Sequence, residues 1–388
     1  MFWPELQIEL DGLNTADLLR ELQEFSFQKG SRVRVGKNEL VNFSSNNYLG
    51  LSHHPRVIRK ASEALRRWGT GSGASRLLSG NLQIHTDLEK KVASFKNEEA
   101  ALVFSSGYLA NLGAVTALLN DKDLVLLDRL NHASLVDAAR LSRAKLWVYP
   151  HKNISELDRL LSRAKGFRRR LVLTDAYFSM DGDVAPLDGL LEVCRKRGAM
   201  LMIDEAHSTG VYGKNGRGLT EHFRLQGGID IVMGTLSKAL GGVGGYVAGR
   251  AVMKEYLVNR CREFIYTTAP SPAASAAAIA ALELVEETPS LRERLWNNIH
   301  FLREGLLSLG FNLMDSGGPV IPIVIGHTRK TILLRDFLRR EGFFAPAIRP
   351  PTVPNGTDRI RLSVMADHSK EDLQRLLRAL RKAKDKIL

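Results

Sequence analysis

Seven short apolar runs, at 101–104, 124–127, 146–149, 171–173, 200–203, 231–233 and 246–248, are separated by stretches with helical spacing. Runs of this length without polar alternation are buried on both faces, the pattern of a mostly parallel sheet covered by helices. The predicted fold is therefore α/β, a seven-stranded sheet between helical layers. Such sheets bind ligands beyond the carboxyl ends of their strands. A chain of 388 residues has room for that domain and a smaller companion.

The expected division is an N-terminal arm over 1–40, a large domain over 41–280 and a small α+β domain over 281–388. Leu13, Leu18, Leu19 and Leu22 predict one helix in the arm. The alanine-rich run 271–284 predicts a long helix. Strands are expected after it at 320–325, 343–348 and 360–364, with a helix at 331–340 stopped by Gly342. Ser369 is placed to cap a last helix whose buried stripe is Leu373, Leu376, Leu377 and Leu380.

Lysine and arginine outnumber aspartate and glutamate by 55 to 42, a net charge of +13, with concentrations at Arg168-Arg169-Arg170, Arg339-Arg340 and the last helix. No nucleic-acid-binding motif accompanies this charge, so no nucleic-acid partner is expected. It reads as a solvated basic face, or one that attracts an anionic thioester or an acidic carrier protein. The two cysteines, Cys194 and Cys261, have no ligand cluster around them, which argues against a disulfide framework or a zinc site; no metal is expected. No apolar run approaches the ~18 residues that span a bilayer. Met1-Phe2-Trp3-Pro4-Glu5 lacks the basic-then-apolar plan of an export signal, so the expected compartment is the cytoplasm, without a membrane partner.

The chemistry-bearing residues follow the strands. Lys238 lies in Thr235-Leu236-Ser237-Lys238-Ala239-Leu240-Gly241-Gly242. A lysine in such a small-residue turn can approach an aldehyde closely, and lost solvation favours its neutral, nucleophilic form. Asp204, in Asp204-Glu205-Ala206-His207, stands at a strand end where it can keep a pyridinium nitrogen protonated. Together they point to pyridoxal phosphate. Gly107, between Ser106 and Tyr108, opens a helix whose N–H groups suit a phosphate. His132 is placed to stack on a pyridine ring, His207 to donate to a ring oxygen and Thr235 to donate its hydroxyl to phosphate. Ser179, in Ser179-Met180-Asp181-Gly182-Asp183, reads by itself as a turn residue.

With Asn46-Asn47-Tyr48-Leu49-Gly50-Leu51 and Gly71-Ser72-Gly73-Ala74-Ser75-Arg76, these segments make the chain resemble the α-oxoamine synthases from about Asn42 to His368. These are the acyl-thioester branch of the fold-type I pyridoxal phosphate enzymes. The segment Ala347-Ile348-Arg349-Pro350-Pro351-Thr352-Val353-Pro354, followed by Arg359-Ile360-Arg361-Leu362, is similar to the biotin-pathway members. The resemblance implies that Lys238 is the Schiff-base lysine, Asp204 the pyridine partner, His132 the stacking residue and His207 the donor to the ring oxygen. It makes Lys238, Asp204 and His132 the catalytic set and adds Gly107, Tyr108, Ser179 and Thr235 as cofactor contacts. Arg20, Asn46, His132, Arg349, Thr352 and Arg361 become substrate contacts, with Arg349 the first candidate to hold a carboxylate and Arg361 the second. Two positions depart from the family pattern: Asp175 stands where some members have glutamate, and Arg76 where others have histidine.

The implied reaction is the decarboxylative condensation of L-alanine with a pimeloyl thioester of coenzyme A or of an acyl carrier protein, releasing CO2 and the thiol, in a homodimer. The rival readings are sister activities that join glycine to acetyl or succinyl thioesters, or serine to a long acyl thioester. A cofactor-binding regulator without catalysis stands further off, against the intact Lys238, Asp204 and His132.

Overall fold

The computed structural model describes residues 2–387. It opens with helix Phe2–Thr15, which stops before reaching Leu18, Leu19 and Leu22. Asp17 takes a left-handed φ of 57°, and the N–H groups of Leu18 and Leu19 both turn back to the Leu13 carbonyl. Asn14, Thr15 and Asp17 are weak helix formers because their side chains compete for backbone groups. The predicted leucine stripe is therefore cut by a left-handed C-terminal cap. Three short antiparallel strands follow, β1 (Phe27–Lys29), β2 (Arg32–Val35) and β3 (Asn38–Asn42), and Val33, Val35 and Leu40 bury one face against Phe344.

All seven apolar runs form strands: β4 (Ala100–Phe104), β5 (Leu124–Asp128), β6 (Lys145–Tyr149), β7 (Arg170–Asp175), β8 (Met200–Asp204), β9 (Ile231–Thr235) and β10 (Gly245–Gly249). They build one sheet in the order β4-β10-β9-β8-β7-β5-β6. The strands β5 to β9 pair in parallel, whereas β10 is antiparallel to both β9 and β4. Only the 236–244 loop joins β9 to β10, too short for a helical crossover, so the chain reverses in place. Leu102, Val125, Leu171, Met202, Met233 and Val247 from the strands share a core with Ala110 and Ala114 of helix Gly107–Leu118 and with Leu135 and Ala138 of helix Ala133–Leu141. Burying each larger side chain contributes roughly 1.5–3 kcal/mol, and the alanines let the helix backbones come close to the sheet.

The C-terminal part contains β11 (Val320–Val324), β12 (Phe343–Phe344), β13 (Ala347–Ile348) and β14 (Arg359–Ser363). The single strand expected at 343–348 is divided at Ala345-Pro346. Proline lacks an N–H for the ladder and restricts the residue before it. As a result β12 pairs in parallel with β3, while β13 pairs antiparallel with β14. The helix before them spans Thr328–Arg340, and Gly342 after it has φ 91°. In the last helix, Lys370–Lys386, Ser369 Oγ accepts from the Asp372 N–H at 3.1 Å and the Asp372 carboxylate accepts from the Ser369 N–H at 3.2 Å.

These elements divide into two compact units. One comprises the chain up to Tyr48, Met180–Gly182 and the chain from Arg294 onward; the other comprises Leu49–Ser179 and Asp183–Glu293. Among the described residues, no helix is long and apolar enough to cross a membrane.

Candidate active site

Polar side chains of the second unit gather where β5, β7, β8 and β9 end, at Asp128, Asp175, Asp204 and Thr235, and after β4 at Ser106. Ser106 Oγ caps its helix by accepting from the Leu109 N–H at 3.2 Å. The N–H groups of Gly107 and Tyr108 precede it in the first turn, where a helix has no acceptor of its own and an anion fits. A Cβ on Gly107 would lie 3.1 Å from Met233 Cε, and one on Gly245 only 2.6 Å from Gly107 Cα. The two glycines thus let the helix start sit directly against β9 and β10. Thr235 donates its hydroxyl to the Gly244 carbonyl at 2.9 Å and lies 2.7 Å from the Ser237 hydroxyl. Its single proton is engaged locally. Tyr108 is exposed, and its phenol donates to Asp137.

Asp204 is 4% exposed; its Oδ1 accepts from the Ala206 N–H at 2.8 Å and its Oδ2 from Asn111 Nδ2 at 2.7 Å. Each oxygen retains a further acceptor position. Asp175 stands opposite Asp204 in the β7–β8 register. Burial first, and the neighbouring Asp204 charge second, push its carboxyl well above the ordinary 3.8. Two buried carboxyls that share a site repel as charges, so the neutral form of Asp175 is favoured relative to a free aspartate.

The His132 N–H donates to Asp175 Oδ2 at 2.7 Å. Its ring Nδ1 caps helix Ala133–Leu141 by accepting from the Ser134 N–H at 3.2 Å and lies 2.8 Å from Ser134 Oγ. A donor at Nδ1 leaves the imidazole proton on Nε2. Burial holds the ring's pKa below 6.5, the Asp204 charge opposes this and the Lys238 charge reinforces it. Half-buried Lys238 also lowers the proton affinity of Asp175. Lys238, His132 and Asp175 thus share one electrostatic neighbourhood. The lysine's turn depends on Gly241, which has φ 65° and whose Cβ would fall 2.3 Å from the Ser52 nitrogen. His207 is buried with its ring 6.1 Å from that of Tyr177, and Ser179 is half-buried at the end of its segment of this unit.

The other candidates lie in the first unit, in two groups. Buried Arg361 donates to Ser363 Oγ at 2.9 Å and Asn46 Oδ1 at 3.2 Å, and Asn46 Oδ1 also accepts from the Tyr48 hydroxyl at 3.2 Å. Burial drives Tyr48 up to about 12 despite the opposing Arg361 charge. Arg20 donates to Thr352 Oγ1 at 3.2 Å, and Arg349 donates to the Asp17 carbonyl. These three residues, with Arg335 and Arg339, line a cavity of about 610 Å³. Burial, and then the charges of Arg335 and Arg20, lower the proton affinity of Arg349, which marks the cavity as cation-rich.

Sequence reasoning passed over Asn111 and Ser134. Their available signals were an amide inside an otherwise apolar helix and a hydroxyl two residues beyond His132. Among the described residues, no group of three or more His, Cys, Asp or Glu is placed to hold a metal.

Residues 38–380 match the family described as aminotransferase class I and II. The chain is 48% identical over 374 residues to 8-amino-7-oxononanoate synthase of Geobacter sulfurreducens, covering 96% of each. It is 44% identical over 375 residues to the enzyme of that name from Thermoanaerobacter pseudethanolicus, covering 96% of this chain and 95% of that one. Among solved structures, a PLP-bound serine palmitoyltransferase from S. paucimobilis superposes with a TM-score of 0.93 at 31% identity, covering 99% of this chain and 97% of that one. An 8-amino-7-oxononanoate synthase from Francisella tularensis superposes with a TM-score of 0.78 at 30% identity, covering 89% of this chain and 98% of that one. The chain belongs to the 8-amino-7-oxononanoate synthase family, within the class I and II aminotransferases.

Proposed function

We propose that this chain uses pyridoxal 5′-phosphate to condense L-alanine with a pimeloyl thioester, giving 8-amino-7-oxononanoate, CO2 and free thiol in biotin biosynthesis. It does so as a cytoplasmic homodimer. The observation that carries the reading is the convergence of Asp204, Asp175, His132 and half-buried Lys238 at the strand ends of one sheet. The donor set suits the cofactor: a buried carboxylate with open acceptor positions for a ring nitrogen, a glycine-cleared helix start for a phosphate, and a lysine for covalent attachment.

Bound there, the cofactor supplies a carbonyl that captures the amino acid and a protonated ring that stores the electron pair left by the departing α-proton. Asp204 keeps that ring protonated through its carboxylate. Lys238 holds the cofactor and, once released, carries the α-proton on Nζ. His132 stacks on the ring while its Nε2–H remains available to substrate oxygen, and His207 donates to the ring oxygen. Gly107 and Tyr108 hold phosphate through their N–H groups, with Ser179 and Thr235 as further contacts. Arg349 is the first candidate for the carboxylate of alanine and Arg361, supported by Asn46, the second, with Arg20 and Thr352 as further substrate contacts.

The higher TM-score of the serine palmitoyltransferase favours a second reading, serine with a long acyl thioester. The 48% identity to an alanine-branch relative, against 31% to that structure, supports the first. Mass spectrometry of products from alanine, glycine and serine, each with pimeloyl, acetyl, succinyl and palmitoyl thioesters, tests both. The proposal requires 8-amino-7-oxononanoate as the principal product.

A further inference from the structure

Asn111 lies one turn into helix Gly107–Leu118, fully buried beside Ala110, Ala114 and Val115. Both hydrogens of its side-chain amide are used: Nδ2 reaches Ser134 Oγ at 2.9 Å and Asp204 Oδ2 at 2.7 Å. Its Oδ1 is buried without a hydrogen-bond partner. A side chain present only for packing would not bury a bare carbonyl oxygen, and an aliphatic residue would avoid that desolvation. Turning the amide over would set that oxygen against the Asp204 carboxylate, so the orientation is dictated by the two acceptors.

Ser134 carries the constraint onward. Its oxygen accepts from Asn111, and its own proton is directed to His132 Nδ1 at 2.8 Å. We propose that Asn111 and Ser134 are positioning residues, a hydrogen-bonded relay that ties the Asp204 carboxylate to the His132 imidazole and fixes the ring plane, adding a second donor at Nδ1 to the Ser134 N–H. The relay deepens the reading of Asp204 and His132 as the two residues that hold the cofactor ring from its edge and its face. It gives them a common support, so that the charge on one and the orientation of the other are set together.

The groups that act on His132 are Asp204, Lys238, Asp137 and, through the backbone N–H, Asp175. Donation to Nδ1 opposes protonation there. Removing the Ser134 hydroxyl therefore makes the ring easier to protonate. Removing Asn111 frees that hydroxyl to turn away and takes a donor from Asp204, which strengthens its pull on the imidazolium. Both changes act in the same direction.

The test is an imidazole 15N NMR titration of the full chain, with and without pyridoxal phosphate, the His132 signal being identified by its loss in His132→Asn. In Ser134→Ala and Asn111→Ala, the His132 proton affinity should rise roughly threefold or more, while the backbone N–H of residue 134 still donates to Nδ1. The double variant should shift by less than the sum of the two single variants, because both act through the Ser134 hydroxyl. Thr116→Val, on the same helix, should leave the signal unchanged. Should Asn111→Ala fail to fold, Ser134→Ala reads the same step alone. Cooperatively folded variants whose His132 keeps the wild-type titration would overturn the relay. The titration is independent of turnover: a chain that shows these shifts yet makes no 8-amino-7-oxononanoate keeps the relay and loses the proposed reaction.

Discussion

Asp175 and Asp204 face one another across the register of β7 and β8, and burial, with this second carboxyl beside it, raises the proton affinity of Asp175 well above its ordinary level. The native state thus holds a proton that the unfolded chain has released above its ordinary value of 3.8. Stability from this proton is fully present below that value and declines as pH rises toward and through the folded one. Asparagine at 175 has no such proton to lose and retains an oxygen for the His132 N–H. Asp175→Asn should therefore unfold at an equal or higher temperature than wild type at pH 8, with its relative advantage smaller at pH 4. Calorimetry at both pH values checks this; an Asp175→Asn variant destabilised only at pH 8 would show that Asp175 ionises in the native protein.

His151 donates from both ring nitrogens, to Asp128 at 2.9 Å and to Asp183 at 2.9 Å. Burial opposes its protonation, but these two carboxylates outweigh burial and raise it from 6.5 to about 9. The stabilisation is complete below pH 6.5 and is lost as pH rises through about 9. At 1.36 kcal/mol per pH unit, His151→Gln should cost about 2–3 kcal/mol near pH 6.5. Urea unfolding should show this difference shrinking towards pH 9.

Gly245→Ala would place a methyl group against Gly107 Cα and push the start of helix Gly107–Leu118 away from the sheet. Overpacking of this kind costs about 1–3 kcal/mol. The account expects a lower melting temperature together with weaker binding of pyridoxal phosphate, measured by equilibrium dialysis. Phosphate-free pyridoxal should be affected less, because the displaced groups are those assigned to the phosphate.

Lys238→Ala should abolish nearly all turnover while leaving the circular dichroism spectrum and cooperative unfolding in place. Arg349→Ala should weaken L-alanine binding more than Arg361→Ala does, by about ten- to a hundredfold, the usual loss for a charge-assisted carboxylate contact of roughly 1.5–3 kcal/mol. It should also expose residues 17–23 to protease, since Arg349 donates to the Asp17 carbonyl. Isothermal titration with alanine and steady-state kinetics separate the two arginines.

The parts of the fold legible in the sequence are those where burial acts on both faces. Each of β4 to β10 is a continuous apolar run, and the strand ends place Asp204 and Thr235 without further information. The strands β1 to β3 were not legible: β1 is exposed throughout, β2 buries only alternate residues, and β3 is buried only over Leu40, Val41 and Asn42. The break at Pro346 was present in the letters but hidden within an apolar stretch. Asn111 was beyond reach because its partners, Ser134 and Asp204, lie 23 and 93 residues away. Asp175 was visible as a departure from glutamate, whereas its protonation depends on a carboxyl carried by the next strand.

The proposed activity is defined by which amino acid and which thioester this site joins. The most direct measurement is kcat/KM for L-alanine with a pimeloyl thioester against L-serine with a palmitoyl thioester, with CO2 and free thiol followed in the same samples. The account predicts a preference of at least about a hundredfold for the alanine pair, ~2.7 kcal/mol in transition-state binding. It also predicts one CO2 and one thiol for each 8-amino-7-oxononanoate formed. Equal or faster turnover of serine with the palmitoyl thioester would contradict it.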